Sequence, residues 1–240
     1  MKLLIVNGDD FGAGRGVNHG ILYAHRHGIL TSASLMVNMP GSEEAARLAD
    51  RAPRLSVGLH VNLTNEGGAP VVDLEDPEAC RFELDRQLAR FQQLVGRLPT
   101  HVDSHHNIHR RELLAPLFLA LARHHVLPLR EHSGVRYFSS FYGQWGGETH
   151  LEQVSSESLQ RMLRDEIGDG VTELACHPGH PDPDFSSEYD APREAELRTL
   201  CDPSLGRALS ALGFRLIGYR ELPPAIGDTC AVGPEPCRPS

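Results

Sequence analysis

The chain predicts an α/β fold of one domain, with parallel strands forming a barrel-like sheet wrapped by helices. Three observations support this. Short apolar runs alternate with longer amphipathic stretches over most of the chain, as in repeated strand–helix units. A length of 240 residues with 40% hydrophobic content can bury one sizeable core, and α/β barrels commonly reach this length as a single domain. Asp9-Asp10, His60, the segment from His101 to His109, and His177 each follow an apolar run. In a parallel barrel the carboxyl ends of the strands gather the catalytic groups there.

Taken in order, Leu3–Asn7 is the first apolar run and the first strand. The glycines between Phe11 and Val17 allow a tight turn into a helix over Val17–His27, which Gly28 stops. A strand at Ser32–Val37 precedes a helix at Ser42–Ala52, with Ser42 as its N-cap, and then a strand at Ser56–His60. The periodic stretch Phe82–Val95 reads as a helix closed by Gly96, and His101–Ser104 follows Pro99 as a strand. Next come a helix at Arg111–His124 and a strand at Val126–Arg130. Ser133–Thr149, rich in glycine and aromatics and without a period, is expected to be a long loop over the site. Ser156 suits the N-cap of a helix at Ser156–Ile167, followed by a strand at Glu173–Cys176. Helices at Arg193–Leu200 and Ser204–Leu212, a stop at Gly213 and a strand at Arg215–Tyr219 complete a domain spanning residues 1–221. Residues 222–240, with Pro223-Pro224 near their start, are expected to form an irregular or disordered tail.

Composition excludes several functions. A net charge of −9 argues against a nucleic-acid partner, because polyanion binding needs basic surface. The opening residues, Met1 to Val6, are too short for a signal-peptide core, and no apolar stretch approaches membrane-spanning length. A cytoplasmic protein with no membrane partner is expected. Cys80, Cys176, Cys201, Cys230 and Cys237 are odd in number, widely spread and without a CxxC pair, so they read as free thiols.

The polar signals point to a metal. Adjacent carboxylates at Asp9 and Asp10 repel at the end of an apolar strand unless a cation or proton is shared. The glycines after them do not make a dinucleotide loop, because Val17 stands where the last glycine of G-x-G-x-x-G belongs. Asn62 and Thr64 alternate with His60, which puts polar groups on one face of that strand. Residues 100–109 contain four histidines and an aspartate. His105 and His109 are four apart, but His106 occupies the place of the glutamate in H-E-x-x-H, which argues against a zincin. His105 is expected to be the first side chain of the cluster to reach the barrel mouth, with His101, His106 and His109 as supporting or surface residues. There is no G-x-S-x-G elbow, and Cys176 reads as packing, so covalent catalysis lacks a candidate. A metal that activates water for hydrolysis remains.

In order, the segments Leu4–Gly12, Gly28–Asn38, Gly58–Thr64, Pro99–His105 and His177-Pro178-Gly179 resemble the YdjC-like (ChbG) carbohydrate deacetylase family, distant relatives of the NodB-type polysaccharide deacetylases. The resemblance implies a distorted or incomplete (β/α) TIM-like barrel. It implies removal of acetyl groups from N-acetylated amino sugars or short oligosaccharides with one divalent cation. Carried over by motif, Asp10, His60 and His105 hold the metal, Asp9 is the general base and His177 the general acid. Arg130 is expected either to orient Asp9 or to form a structural salt bridge. The family association gives magnesium as the cation, while histidine-rich ligation favours zinc as the alternative. Phe141, Tyr142 and Trp145 offer an apolar face for a sugar. The chain departs from the family at Asn107, where another histidine is usual, and between Leu63 and Phe82, where the segment is short. A metal-dependent phosphoesterase and a non-catalytic sugar- or metal-binding protein are the alternatives, and a homodimer is left open.

Overall fold

The computed structural model describes residues 1–222 apart from 183, 184 and 186. In chain order the elements are β1 (Lys2–Phe11), α1 (Arg15–His27), β2 (Ser32–Leu35), α2 (Ser42–Asp50), β3 (Ser56–Val61), α3 (Pro77–Val95), β4 (Val102–Ser104), α4 (Ala115–His125), β5 (Arg136–Phe138), β6 (Gln144–Trp145), β7 (Glu148–Thr149), α5 (Ser156–Asp165), β8 (Gly170–Cys176), α6 (Asp190–Leu200), α7 (Pro203–Ala211) and β9 (Phe214–Leu216). A 3-10 turn, His105–Arg110, follows β4 directly.

The main sheet is parallel and runs β4-β3-β2-β1-β8-β5, with β9 against the first residues of β1. It is an open, curled sheet, the incomplete TIM-like barrel expected from the sequence. Period-two alternation sorts β1 into two faces. Leu4 and Val6 join the main apolar cluster beneath the helices, whereas Ile5 packs in a smaller cluster with Val135, Val171, Ile217 and Tyr219. Beyond Ile5, the same face carries Asn7 and Asp9, both buried. Ser34, His60 and Asp103 meet them from the neighbouring strands. Gly58 lets the sheet interior accept the His101 ring, since a Cβ there would stand 2.4 Å from an imidazole carbon. The interior therefore grades from apolar to charged toward the carboxyl ends of the strands.

Several expected elements are corrected. Val126–Arg130 is not a strand: Val126 ends α4 in the left-handed region at φ 55°, and Pro128 has no N–H to give a ladder. What remains is one bridge, Leu129 to Val102, held by Val102 N–H to the Pro128 carbonyl at 2.8 Å and Arg130 N–H to the Val102 carbonyl at 3.0 Å. Ser133–Thr149 is not all loop, because it contains β5 on the sheet edge and the β6–β7 hairpin. The N-caps are Gly41 and Ser155, each one residue before the serine expected; the Ser42 hydroxyl instead donates to the Met36 carbonyl. Helix α3 begins five residues before Phe82 because Asp76 caps it and Pro77 suits its first turn. The expected tail at 222–240, and with it the domain boundary, lies outside the described residues from position 223 onward.

Candidate active site

Neighbouring side chains on a regular strand point to opposite faces, yet Asp9 and Asp10 line the same cleft. A bulge accounts for this. Between the paired positions Gly8↔Ala33 and Phe11↔Leu35, β1 has one residue more than β2, and Asp10 adopts φ 65°. Aspartate tolerates that region better than most residues. The carboxylates are then pulled to different partners, which relieves their repulsion.

Asp10, His60 and His105 meet at the centre of the cleft, with one potential ligand atom from each within 4.8 Å of the others. Asp10 Oδ1 lies 3.4 Å from His60 Nε2 and 3.1 Å from His105 Nδ1, while its other oxygen accepts from Arg193 Nη2 at 2.7 Å. His60 Nδ1–H donates to Asp103 Oδ1 at 2.7 Å, which leaves Nε2 aimed at Asp10. This is the carboxylate–imidazole arrangement that orients metal-ligating histidines. Burial resists charge on His60, but the carboxylates of Asp103, Asp10 and Asp9 overcome it and raise its pKa to about 10. Asp10 is pushed well below the usual carboxylate range: burial opposes its charge, and Arg193 with the two histidines outweighs burial. Together these groups favour a positive charge where their ligand atoms converge. The three residues expected to be ligands can hold one metal ion.

A second cluster, Asp9, His60 and Asp103, also has metal-like spacing, but Arg130 fills it. Its Nη1 and Nη2 donate to the two oxygens of Asp9, each at 2.8 Å. Nη2 also lies 2.8 Å from Asp103 and 2.6 Å from Glu173. Arg130 is thus forked on both oxygens of Asp9 and is also the cation of a buried ion network. Asp9 is held below its ordinary pKa because Arg130 outweighs the burial that would raise it.

His177 follows β8 and lines the same cleft as the metal-like cluster. Burial lowers its pKa to about 4. Its backbone N–H donates to Glu196 Oε2, and Tyr189 O–H donates to Glu196 Oε1 at 2.6 Å. The cleft has a volume of about 320 Å³, and Glu66 and Tyr142 stand on its walls.

The other histidines separate. His106 and Asn107 take φ 54° and φ 50°, kinking the 3-10 turn, so His105 and His109 do not share a helical face. His109 is buried and pairs with Ser104 and Glu131. His101 stacks on Tyr219 with ring centroids 3.8 Å apart, whereas His106 lines the cleft and bonds to Thr64. Phe141 and Tyr142 reach the cleft as expected. Trp145 does not, because the β6–β7 hairpin stacks it on His150 instead.

Sequence reading missed Arg193 and Glu196. They lie on α6 with Leu197 and Leu200, at spacings of three, four and seven from Arg193, and all four are buried. Two charges on the apolar stripe of a helix are the signal that could have found them.

The chain from residue 3 to residue 211 matches the family model of the YdjC-like proteins. A carbohydrate deacetylase of Geobacillus stearothermophilus is 40% identical over 251 aligned positions, covering 92% of this chain and 98% of that protein. A chitooligosaccharide deacetylase of Serratia marcescens is 36% identical, covering 92% of this chain and 99% of that one. Among solved structures, a candidate cellobiose-phosphate cleavage protein of Enterococcus faecalis V583 superposes with a TM-score of 0.75 at 30% identity, over 91% of this chain and 97% of its own. A family 4 carbohydrate esterase of Streptomyces lividans, solved with acetate, shares the fold at a TM-score of 0.55 and 13% identity, with 89% of each chain covered. The chain belongs to the YdjC-like protein family.

Proposed function

We propose that the chain is a metal-dependent carbohydrate deacetylase that removes the N-acetyl group from an N-acetylated amino sugar or short oligosaccharide. One observation carries the reading: a metal-like Asp10–His60–His105 cluster, an arginine-held carboxylate and a half-buried histidine face one cleft. The family match and the names of the two relatives support it.

A divalent cation bound there would supply Lewis acidity to a water and to the acetamide oxygen. Asp10, His60 and His105 would hold it, and Asp103 and Arg193 would fix two of those ligands in place. Asp9, its two oxygens aligned by Arg130, takes a proton from the attacking water. The water oxygen bonds to the carbonyl carbon, the carbon–nitrogen bond breaks, and His177 gives a proton to the leaving amine. The products are acetate and the free amino sugar. Two imidazoles and one carboxylate suit zinc, while the family resemblance favours magnesium, and elemental analysis of protein prepared without added metal distinguishes them.

A two-metal phosphoesterase is disfavoured because Arg130 fills the second cluster with metal-like spacing. Incubating the protein with N-acetylated mono- and disaccharides and with sugar phosphates is expected to release acetate from the former and no phosphate from the latter. Phosphate without acetate overturns the reading.

A further inference from the structure

Glu196 is fully buried beneath the cleft, and its carboxylate does more than cap a strand end. Its Oε2 accepts the His177 backbone N–H, and its Oε1 accepts Tyr189 O–H at 2.6 Å while lying 3.9 Å from His177 Nδ1. That Nδ1 is buried and makes no hydrogen bond. The imidazole keeps 22% side-chain exposure, so the edge that meets the cleft is the one bearing Nε2. Tyr142 and Tyr189 meet the ring edge-on, at centroid distances of 5.7 and 5.4 Å.

We propose that Glu196 is the positioning residue of His177: it shares a proton with Nδ1, so that Nε2 carries the proton delivered to the leaving nitrogen. The proposal rests on His177 being the general acid. Glu196 Oε1 is the nearest carboxylate oxygen to that buried nitrogen, and a small tilt of the ring closes 3.9 Å to hydrogen-bond length. The step balances: the Nε2–H bond breaks as the amine N–H bond forms, and the proton shared with Glu196 passes to Nδ1, leaving a neutral imidazole beside a carboxylate.

The electrostatics fit a shared proton. Burial raises Glu196 to about 8 and lowers His177 to about 4, so near neutral pH the pair holds one proton between them. Neutral acid beside imidazole and carboxylate beside imidazolium have the same net charge, so the proton can shift without burying a new one. Asp10 and Asp9 favour the imidazolium, Arg193 and His60 oppose it, and Tyr142 and Tyr189 are held neutral by burial.

The test combines a spectroscopic and a kinetic readout. Nitrogen-15 NMR of the metal-free protein is expected to show His177 protonated at Nε2, and Glu196→Ala is expected to lose that preference. With a metal supplied, Glu196→Gln should lower kcat on an N-acetyl sugar by roughly tenfold to a hundredfold, a part of the usual general-acid contribution. KM should stay within about twofold, and an activated aryl acetate, whose leaving group needs no proton, should lose less than about threefold. The basic limb of the pH profile should move to lower pH, and Glu196→Asp should recover part of the loss. Nε2 found unprotonated in the wild-type protein overturns the proposal whether or not the variant folds. So does an equal loss on amide and ester. If His177→Ala is amide-selective and Glu196→Gln is not, the positioning role fails while the deacetylase reading stands. If His177→Ala shows no selectivity, the acid assignment fails and takes this proposal with it.

Discussion

At the scale of the residue, the site depends on a division between two adjacent aspartates. Both are buried, but Asp10 faces two imidazoles and Arg193, whereas Asp9 is gripped on both oxygens by Arg130. Asp9→Asn is therefore expected to keep the fold and the metal stoichiometry while losing ~10²–10⁴-fold in kcat, because an amide cannot take a proton from water. Loss of metal in Asp9→Asn with retention in Asp10→Asn would invert the two roles. Asp9, Asp10, His60, His105 and His177 were legible in the sequence because each is a polar group where a buried strand should end. Asp103 was legible only as part of a strand. Its role as the acceptor of His60 Nδ1–H depends on the register that sets Asp103 opposite His60 across β3 and β4, and no spacing in the chain reveals that pairing.

At the scale of the element, the seam of the open barrel is the least regular region. The strand expected at Val126–Arg130 shrinks to a bridge, and the turn after it is tied to the 3-10 turn after β4 by Glu131. Glu131 accepts from Arg110 at 2.7 and 2.9 Å and lies 3.2 Å from His109 Nε2. Burial opposes its charge, but His109 and Arg110 lower its pKa to about 2 from an ordinary 4.5. A carboxylate with a depressed folded-state pKa contributes stability above the unfolded pKa and loses it as pH falls toward the folded one. Glu131→Gln should cost about 1 kcal/mol at neutral pH, a modest figure because Arg110 is half exposed and solvent screens the pair. The deficit should shrink as pH falls below 4.5 toward 2, and urea unfolding across that range, as far as the protein stays folded, measures it. A deficit independent of pH would remove the ion pairs from the explanation. Most other elements were legible because apolar period and glycine stops mark them locally. The seam was not, since a left-handed Val126 and the pairing of Leu129 with Val102 are decided by tertiary contacts.

At the scale of the whole molecule, the parallel sheet places a buried ion network inside the barrel. Arg130 contacts Asp9, Asp103 and Glu173, and Glu173 in turn accepts from Tyr219 O–H at 2.6 Å. Removing the cation leaves three buried carboxylates without their shared counter-charge, so Arg130→Ala is expected to destabilise by about 3–5 kcal/mol, as breaking a buried pair does. Chemical denaturation reads this directly, and a loss below about 1 kcal/mol would mean that the network relaxes into solvent. The α/β class and the open barrel were legible from alternation and the family segments; of this network only the Arg130–Asp9 pair was, because Asp103 and Glu173 come to Arg130 from strands far apart in the chain.

The central claim is that Asp10, His60 and His105 hold one catalytic divalent cation at the mouth of this barrel. Metal content and acetate release should be measured together on the purified wild-type protein and on Asp10→Ala, His60→Ala and His105→Ala, with folding checked by circular dichroism. About one metal per chain and acetate from an N-acetylated sugar are expected in the wild type, with both lost in each folded variant. Unchanged metal stoichiometry in His60→Ala or His105→Ala, or undiminished acetate release from a variant without metal, would contradict it.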